Sequence, residues 1–252
     1  MSYRSWLKDV RKINDLGKHL HHFPRGKENW EREIRYEDRL LAQLKDPFLP
    51  VDESSKRYFR GDLHDGWVLG FDRSSQHVEI TITNSSVEYF AMEYFAETDQ
   101  DHEVVISPVR LVFEGVNYAN AVRVDPEGWL KHENWPQWRE PGERGRRDSF
   151  LRSWFYEQDG KIQWIGHFDS WNEKKPSTDT NLYVLIDCEQ VTAKPESERA
   201  LRKRLGDDCY EAMVFVENLP QSERWLYMGH LRRYLKERGI STREIPHQSE
   251  RV

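Results

Sequence analysis

The chain has 252 residues, with 38 Lys and Arg against 44 Asp and Glu, which gives a formal net charge of −6. This negative balance argues against broad electrostatic binding to nucleic acid or to an anionic membrane surface. Hydrophobic residues make up only 37% of the chain, but 10 Trp, 11 Tyr and 11 Phe are present. Because each buried aromatic ring removes a large apolar area from water, these rings can build a sizeable core.

Cysteine content and hydropathy favour a cytoplasmic protein. The two cysteines, Cys188 and Cys209, are too few for the disulfide framework of a secreted protein and suit a reducing compartment. The opening residues are charged and amphipathic, unlike a signal peptide. No window approaches the roughly 20 apolar residues of a membrane span, so we expect no association with a membrane.

The first 55 residues predict a helical segment. Apolar residues recur at helical spacing from Trp6 to Leu16, and Gly17 is a suitable stop signal. A second helix is predicted over 29–45, with Asn29 as its N-cap. We therefore assign residues 1–55 to an N-terminal helical segment.

Residues 56–194 predict an antiparallel β domain. β-branched and aromatic residues occur there in short runs between turns. The predicted strands are 63–71, 77–83, 87–96, 103–113, 118–124, 149–156, 162–168 and 182–188. Asp159-Gly160 between two of these runs is a strong hairpin signal. Successive hairpins and about eight strands suit a β sandwich or a partly closed barrel.

Residues 195–252 predict a C-terminal helical segment that packs on the β domain. One helix is expected from Pro195 to Gly206 and another from Ser222 to Gly239, while 210–216 fits either a strand or a helix. The predicted fold class is therefore α+β, with an antiparallel sandwich or partly closed barrel flanked by N- and C-terminal amphipathic helices.

Two His-Asp units could carry chemistry. His64 and Asp65 stand at the start of a predicted strand, between Gly61 and Gly66. His167 and Asp169 are two apart on another, so both face one side. His64, His167 and Asp169 could together ligate a divalent metal, with Asp65 orienting a histidine. The alternative is structural: Asp65 caps a turn, and the residues near His167 form a solvated outer face.

A long segment between predicted strands, 125–148, offers a second kind of surface. Aromatic residues interleaved with arginine can stack on bases, but they are also favoured at protein–protein hot spots. Because the whole chain is acidic, we rank a protein partner above nucleic acid. A third interpretation is that the tryptophans only pack the segment onto the sheet. The candidate partner-binding residues are Trp129, Trp135, Trp138, Arg139, Arg144, Arg146 and Arg147.

Short matches spread over about half of the chain give a resemblance to known proteins. They are Leu-His-Asp-Gly-Trp at 63–67, Val-Glu-Ile-Thr-Ile at 78–82, Leu-Val-Phe-Glu-Gly-Val at 111–116, Trp-Phe-Tyr at 154–156 and Leu-Tyr-Val-Leu-Ile-Asp at 182–187. The β region resembles bacterial proteins of unknown function whose C-terminal β domain opens with a His-Asp motif. It is also similar to some immunity proteins of toxin systems. The resemblance implies a β sandwich or barrel and no established reaction, and the Trp/Arg segment and C-terminal helices depart from it.

Three functions remain open. The first is a bacterial, cytoplasmic interaction protein, immunity-like in character and without a cofactor, that uses the Trp/Arg segment on a protein partner. The second is a metal-dependent hydrolase or lyase that uses His64, His167 and Asp169. The third is a β barrel that binds a small apolar ligand. The sequence contains no nucleophile elbow, phosphate loop, dinucleotide fingerprint or zinc-helix signature. Their absence makes an enzymatic function less favoured but does not exclude it.

Overall fold

The computed structural model describes residues 50–101, 104–124, 130–133, 146–158, 160–172, 180–220, 223 and 226–242. The predicted N-terminal helices therefore lie outside the described residues. The chain divides into two compact units. The sheet unit comprises the described parts of 50–82 and 110–194, and the helical unit those of 83–109 and 195–242.

The sheet unit begins with a short helix and then builds two antiparallel sheets. Helix α1, Glu53–Arg57, runs into a π-helical turn, Tyr58–Asp62. The strands are β1 Val68–Arg73, β2 His77–Thr83, β3 Pro108–Glu114, β4 Tyr118–Val124, β5 Leu130–Glu133, β6 Arg146–Gln158, β7 Lys161–Asn172, β8 Thr180–Cys188 and β9 Gln190–Pro195. One sheet has the order β1-β2-β3-β9 and the other β5-β4-β8-β7-β6. Both orders are open, so the described strands form no closed barrel.

Alternation of buried and exposed positions explains these strands. On β2, Val78, Ile80 and Ile82 are fully buried, while the residues between them are half-buried. A strand turns successive side chains to opposite faces, so this period of two fixes which face lies inward. The predicted hairpin at 159–160 is confirmed, because Gln158 pairs with Lys161.

Aromatic rings connect the two sheets. Trp164 on β7 is fully buried, and its ring centroid lies 4.8 Å from that of Phe113 on β3. Phe168 follows Trp164 on the same face of β7, and Phe150 on β6 meets it edge-on at 5.5 Å. These tilted and edge-to-face contacts avoid the unfavourable face-to-face arrangement of two rings. The predicted α+β class with antiparallel sheets is thus confirmed.

The helical unit contains a helix where the sequence predicted a strand. Residues 87–96 lie in α2, Ser85–Thr98, whose first turn is capped by the Asn84 side chain accepting from the N–H of Val87. Apolar residues of α2 recur at intervals of three and four and are buried, which is the period of a helix and not of a strand. Aromatic and β-branched content favoured the wrong structure here.

Three further helices complete the helical unit. They are α3 Glu198–Leu205, α4 Asp207–Glu217 and α5 Tyr227–Glu237, so the ambiguous stretch 210–216 is helical. Arg232 of α5 pairs with the buried carboxylate of Glu97 on α2 at 2.6 Å. The buried cluster of this unit is formed by Val87, Phe90, Ala91, Tyr94, Phe95, Val105, Leu205, Cys209, Ala212, Met213, Leu231 and Leu235. None of the helices in the described part of the chain has the length and apolar character needed to cross a membrane.

Both cysteines are buried as free thiols. Cys188 belongs to the sheet unit and Cys209 to the helical unit. Burial raises the pKa of each thiol to about 12. Because the thiolate is the reactive form, both are packing residues in the native protein.

The packing of Trp164 on Gly166 gives a test of the sheet core. An added Cβ at Gly166 would overlap the indole of Trp164, with Cζ2 only 2.8 Å away, whereas one at Gly70 would meet nothing closer than 4.0 Å. We expect Gly166→Ala to lower the free energy of unfolding by about 1–3 kcal/mol through overpacking. Gly70→Ala, the matched control, should change it by less than about 1 kcal/mol. Urea denaturation measures both, and equal effects would contradict this account of the core.

Candidate functional site

The turn that carries His64 and Asp65 is attached to the edge of β6. The N–H of Asp65 donates to the carbonyl oxygen of Phe150 at 2.8 Å, and the N–H of Phe150 donates to that of Gly66 at 2.8 Å. An antiparallel bridge between Trp67 and Ser149 continues this pairing. The chain therefore covers the first part of the β6 edge before it enters β1.

The His64-Asp65 turn lies after an unusual piece of backbone. It comes directly after the π-helical turn, and its N–H at His64 donates to the carbonyl oxygen of Gly61 at 2.9 Å. Asp65 has a φ of 64°, in the left-handed region that non-glycine residues seldom adopt. Such backbone is frequent at functional sites and costs about 1–3 kcal/mol when the residue is not glycine.

The side chains of this turn form an exposed contact between an imidazole and a carboxylate. His64 Nδ1 lies 3.1 Å from Asp65 Oδ2, and the two side chains are 60% and 50% exposed. Arg57 and Asp62 make a second pair on the preceding turn. Water screens exposed pairs of this kind, so they add little to stability. The turn offers an accessible imidazole held beside a carboxylate.

His167 lies in a different environment, within a row of stacked groups. It is only 5% exposed, and its ring stacks on Tyr183 at 4.6 Å and on Trp154 at 6.2 Å between centroids. The guanidinium of Arg152 lies 5.4 Å from the Trp154 ring, within cation–π range. We call Arg152, Trp154, His167 and Tyr183 the ring row.

The strand register explains the ring row. Arg152 of β6 lies opposite His167 of β7, which lies opposite Tyr183 of β8, so the three share one face of the sheet. An irregularity between Phe150 and Arg152 inserts one residue into β6. Such a bulge reverses the side-chain parity of the strand beyond it, and so Trp154 joins the same face.

One end of the ring row, at Tyr183, is buried, and the other end, at Trp154 and Arg152, is accessible. Burial raises the pKa of Tyr183 to about 12, with the charge of Arg152 acting in the opposite direction, so this phenol stays neutral at physiological pH. Trp154 and Arg152 are only half-buried. A half-exposed indole beside a guanidinium is a suitable anchor for a binding partner.

The three proposed metal ligands occupy separate positions. The turn with His64 borders the outer edge of β6, while His167 and Asp169 belong to β7 on the other side of that strand. Two strand spacings separate their backbones by roughly 10 Å. Within the ranges that the structure describes, no group of three or more His, Cys, Asp and Glu residues could hold a metal ion. The metal hypothesis stays a prediction.

The predicted partner-binding residues lie mostly outside the described residues. This holds for Trp129, Trp135, Trp138, Arg139 and Arg144. Arg146 and Arg147 are the first residues of β6, where they pair with Asn172 and Trp171 of β7. The predicted partner-binding segment therefore leads directly into the strand that carries the accessible end of the ring row.

Sequence reasoning missed the ring row. Arg152, Trp154 and Tyr183 were not singled out, and His167 was considered as a metal ligand or as part of a solvated outer face, whereas it is a buried, stacked ring. The alternation along each strand could have placed His167 and Tyr183 on one face, but the bulge that adds Trp154 has no sequence signal. Comparison with protein-family models, curated proteins and solved structures finds no match to this chain.

The left-handed backbone at Asp65 can be tested by two substitutions. Asp65→Ala and Asp65→Gly both remove the carboxylate, but only alanine keeps a Cβ that is unfavourable at this φ. We expect Asp65→Gly to exceed Asp65→Ala in unfolding free energy by about 0.5–1 kcal/mol, measured by urea denaturation. At Asp72 on β1, an exposed strand position, alanine should be the more stable of the two. The same ranking at both sites would contradict the strained turn.

Proposed function

We propose that this chain is a bacterial, cytoplasmic interaction protein that captures a protein partner through the surface around β6. The surface consists of the Trp/Arg segment 125–148 and the accessible end of the ring row. The narrower form of the proposal comes from the resemblance to immunity proteins: the chain holds a toxin-like protein in an inactive complex.

The observation that carries this proposal is the position of Arg152 and Trp154. Both are half-buried, both stand on a rigid antiparallel sheet, and their strand begins at Arg146 and Arg147. Tryptophan and arginine are among the side chains most enriched at binding hot spots, and anchors set on rigid elements lose little entropy on binding.

Charge favours a protein over nucleic acid as the partner. The chain carries a net charge of −6, so the four arginines between 139 and 147 are a local excess of positive charge within an acidic sequence. Binding to nucleic acid relies on many phosphate contacts by a basic surface. A protein partner needs only a few well-placed anchors with complementary charge around them.

The packing of the two sheets and the position of the terminal helices are also proposals. We propose that the two sheets pack face to face as a sandwich, supported by the contact of Phe113 on β3 with Trp164 on β7. We also keep the amphipathic helices of both chain ends as flanking elements. Two open sheets lend no support to a barrel that encloses a small ligand.

Replacing anchor residues tests the proposal. We expect Trp135→Ala/Trp138→Ala to abolish capture of the partner, and Trp154→Ala to weaken its binding about 10- to 30-fold, as for a hot-spot residue. The partner is first captured from an extract of cells that produce the chain, with the protein immobilised. Its affinity for each variant is then measured by calorimetry.

Tyr118→Ala is the matched control, because Tyr118 is an exposed aromatic residue on β4 of the same sheet. It should bind the partner like the unaltered chain. Each variant must also keep the thermal melting curve of the unaltered chain. If all variants bind equally, the surface around β6 is not the interface.

The metal-dependent hydrolase or lyase remains the alternative function, supported by the accessible His64-Asp65 pair. A metal that binds only the native state raises the melting temperature by mass action. The alternative requires a saturable rise with Zn²⁺, Mn²⁺, Mg²⁺ or Ca²⁺ that a chelator reverses and that His64→Ala and His167→Ala each remove. A rise in melting temperature that persists in either variant, or the absence of a rise with all four ions, would contradict the metal-dependent alternative.

A further inference from the structure

The ring-row face is the face of the five-stranded sheet that carries the ring row, and its centre is buried. Side chains alternate along β7, so Trp164 faces β3 while Ile165 and His167 lie on the ring-row face. Tyr183 of β8 lies opposite His167 and shares this face. Only 6% of Ile165, 5% of His167 and 1% of Tyr183 is exposed. These side chains are therefore buried on the side of the sheet that faces away from β3.

Stacking within the sheet explains only part of this burial. The rings of His167 and Tyr183 lie side by side across two strands, with 4.6 Å between their centroids, so each covers one flat side of the other. Such stacking leaves uncovered the ring edge that points away from the sheet. The hydroxyl end of a tyrosine also extends farther from the backbone than a leucine such as Leu185 on the same strand. The 1% exposure of Tyr183 therefore requires a further layer of chain over the ring-row face.

The sequence of β8 agrees with a sheet that is covered on both faces. Residues 182–186, Leu-Tyr-Val-Leu-Ile, form an uninterrupted apolar run. A strand with one solvated face alternates apolar and polar residues, whereas a strand buried on both faces is apolar throughout. Strand β2 shows the alternating pattern, and its positions between the buried ones are only half-buried. The apolar run of β8 thus suits a strand with chain on both of its faces.

Residues 29–45 have the pattern of an element that can form this layer. At helical spacing, Trp30, Ile34, Leu41 and Leu44 fall on one side, and Arg32 falls on the opposite side. A helix over this range would be about 25 Å long, whereas the outer strands of a five-stranded sheet are roughly 19 Å apart. One such helix is therefore long enough to cross the sheet.

The position of Pro50 and the composition of the chain favour this segment. Pro50 lies three residues before α1, and the π-helical turn after α1 packs on β6, where Phe59 meets Phe155 edge-on at 5.1 Å. The chain before Pro50 therefore begins near one edge of the sheet. Segment 134–145, which also lies outside the described residues, contains two prolines and two glycines, and both residue types disfavour a helix.

We propose that residues 29–45 form a helix that lies across the ring-row face, with its apolar side on the buried end of the ring row, His167 and Tyr183. The accessible end, Trp154 and Arg152, stays outside this contact, because both residues are only half-buried. The contact lies within one chain, so it does not depend on the proposed capture of a partner. It assigns one terminal helix to a particular face of the sheet.

Photo-crosslinking of the full chain tests this placement. Trp30 is replaced by the photoreactive residue p-benzoylphenylalanine, and the peptides that it crosslinks on irradiation are identified by mass spectrometry. We expect crosslinks to residues of β7 or β8 on the ring-row face. The same probe in place of Arg32, on the other side of the helix, should give no crosslink to these strands. Crosslinks from position 30 only to other parts of the chain, or no crosslink at all, would overturn the proposal.

Tyrosine nitration gives a second readout without the probe. In the unaltered chain, tetranitromethane should modify Tyr118, which is 41% exposed, and leave Tyr183 unmodified. Ile34→Asp places a charge in the contact, so nitration of Tyr183 should become about tenfold faster or more, while Arg32→Asp should leave it unchanged. Cys188 must stay unreactive toward a thiol reagent in both variants, which separates loss of the layer from unfolding.

The two experiments together decide the proposal. If Cys188 stays unreactive in Ile34→Asp and Tyr183 is still protected from nitration, another part of the chain covers the ring-row face and the proposal is wrong. If Ile34→Asp exposes Cys188 as well, the variant has unfolded, and the crosslinks from position 30 in the otherwise unaltered chain give the answer.

Discussion

The contact of Trp164 with Phe113, made over the open surface of Gly166, determines the arrangement of the sheet unit. It joins the interior strand β7 to the other sheet and leaves no room for a Cβ at Gly166. Because strand side chains alternate, burying Trp164 and Phe168 on one face commits His167 to the other. The position of the candidate site is therefore a consequence of core packing, and His167 stacks on Tyr183 because the register places the two opposite each other.

The bulge at Leu151 has an equally direct effect on the surface. Phe150 faces the core beside Phe168, and in a regular strand Arg152 and Trp154 would face the core as well. One inserted residue turns both to the opposite face, where Trp154 stacks on His167. The guanidinium of Arg152 is thereby kept out of the core, where its charge would need a partner. It lies instead beside the indole of Trp154, with which it makes a cation–π contact.

The sequence predicted those elements whose local pattern matches their burial. Strand 77–83 alternates clearly, 182–188 is a short run of mostly apolar residues, and the Asp159-Gly160 turn has a specific chemistry, so these were predicted correctly. The helix at 85–98 was missed because its aromatic residues have high β propensity, although its buried positions repeat with a helical period. The ring row was missed for a different reason. It depends on register across three strands and on a bulge, and neither is encoded in the spacing of residues along one segment.

The ring row shows how register can hold an accessible side chain in place. Trp154 rises from the face of the sheet and stacks on His167, which in turn stacks on Tyr183 of the next strand. Because strand pairing fixes the positions of both supporting residues, the indole has little freedom to reorient. A partner that contacts Trp154, as proposed, would therefore lose less side-chain entropy on binding than one that must order a mobile side chain.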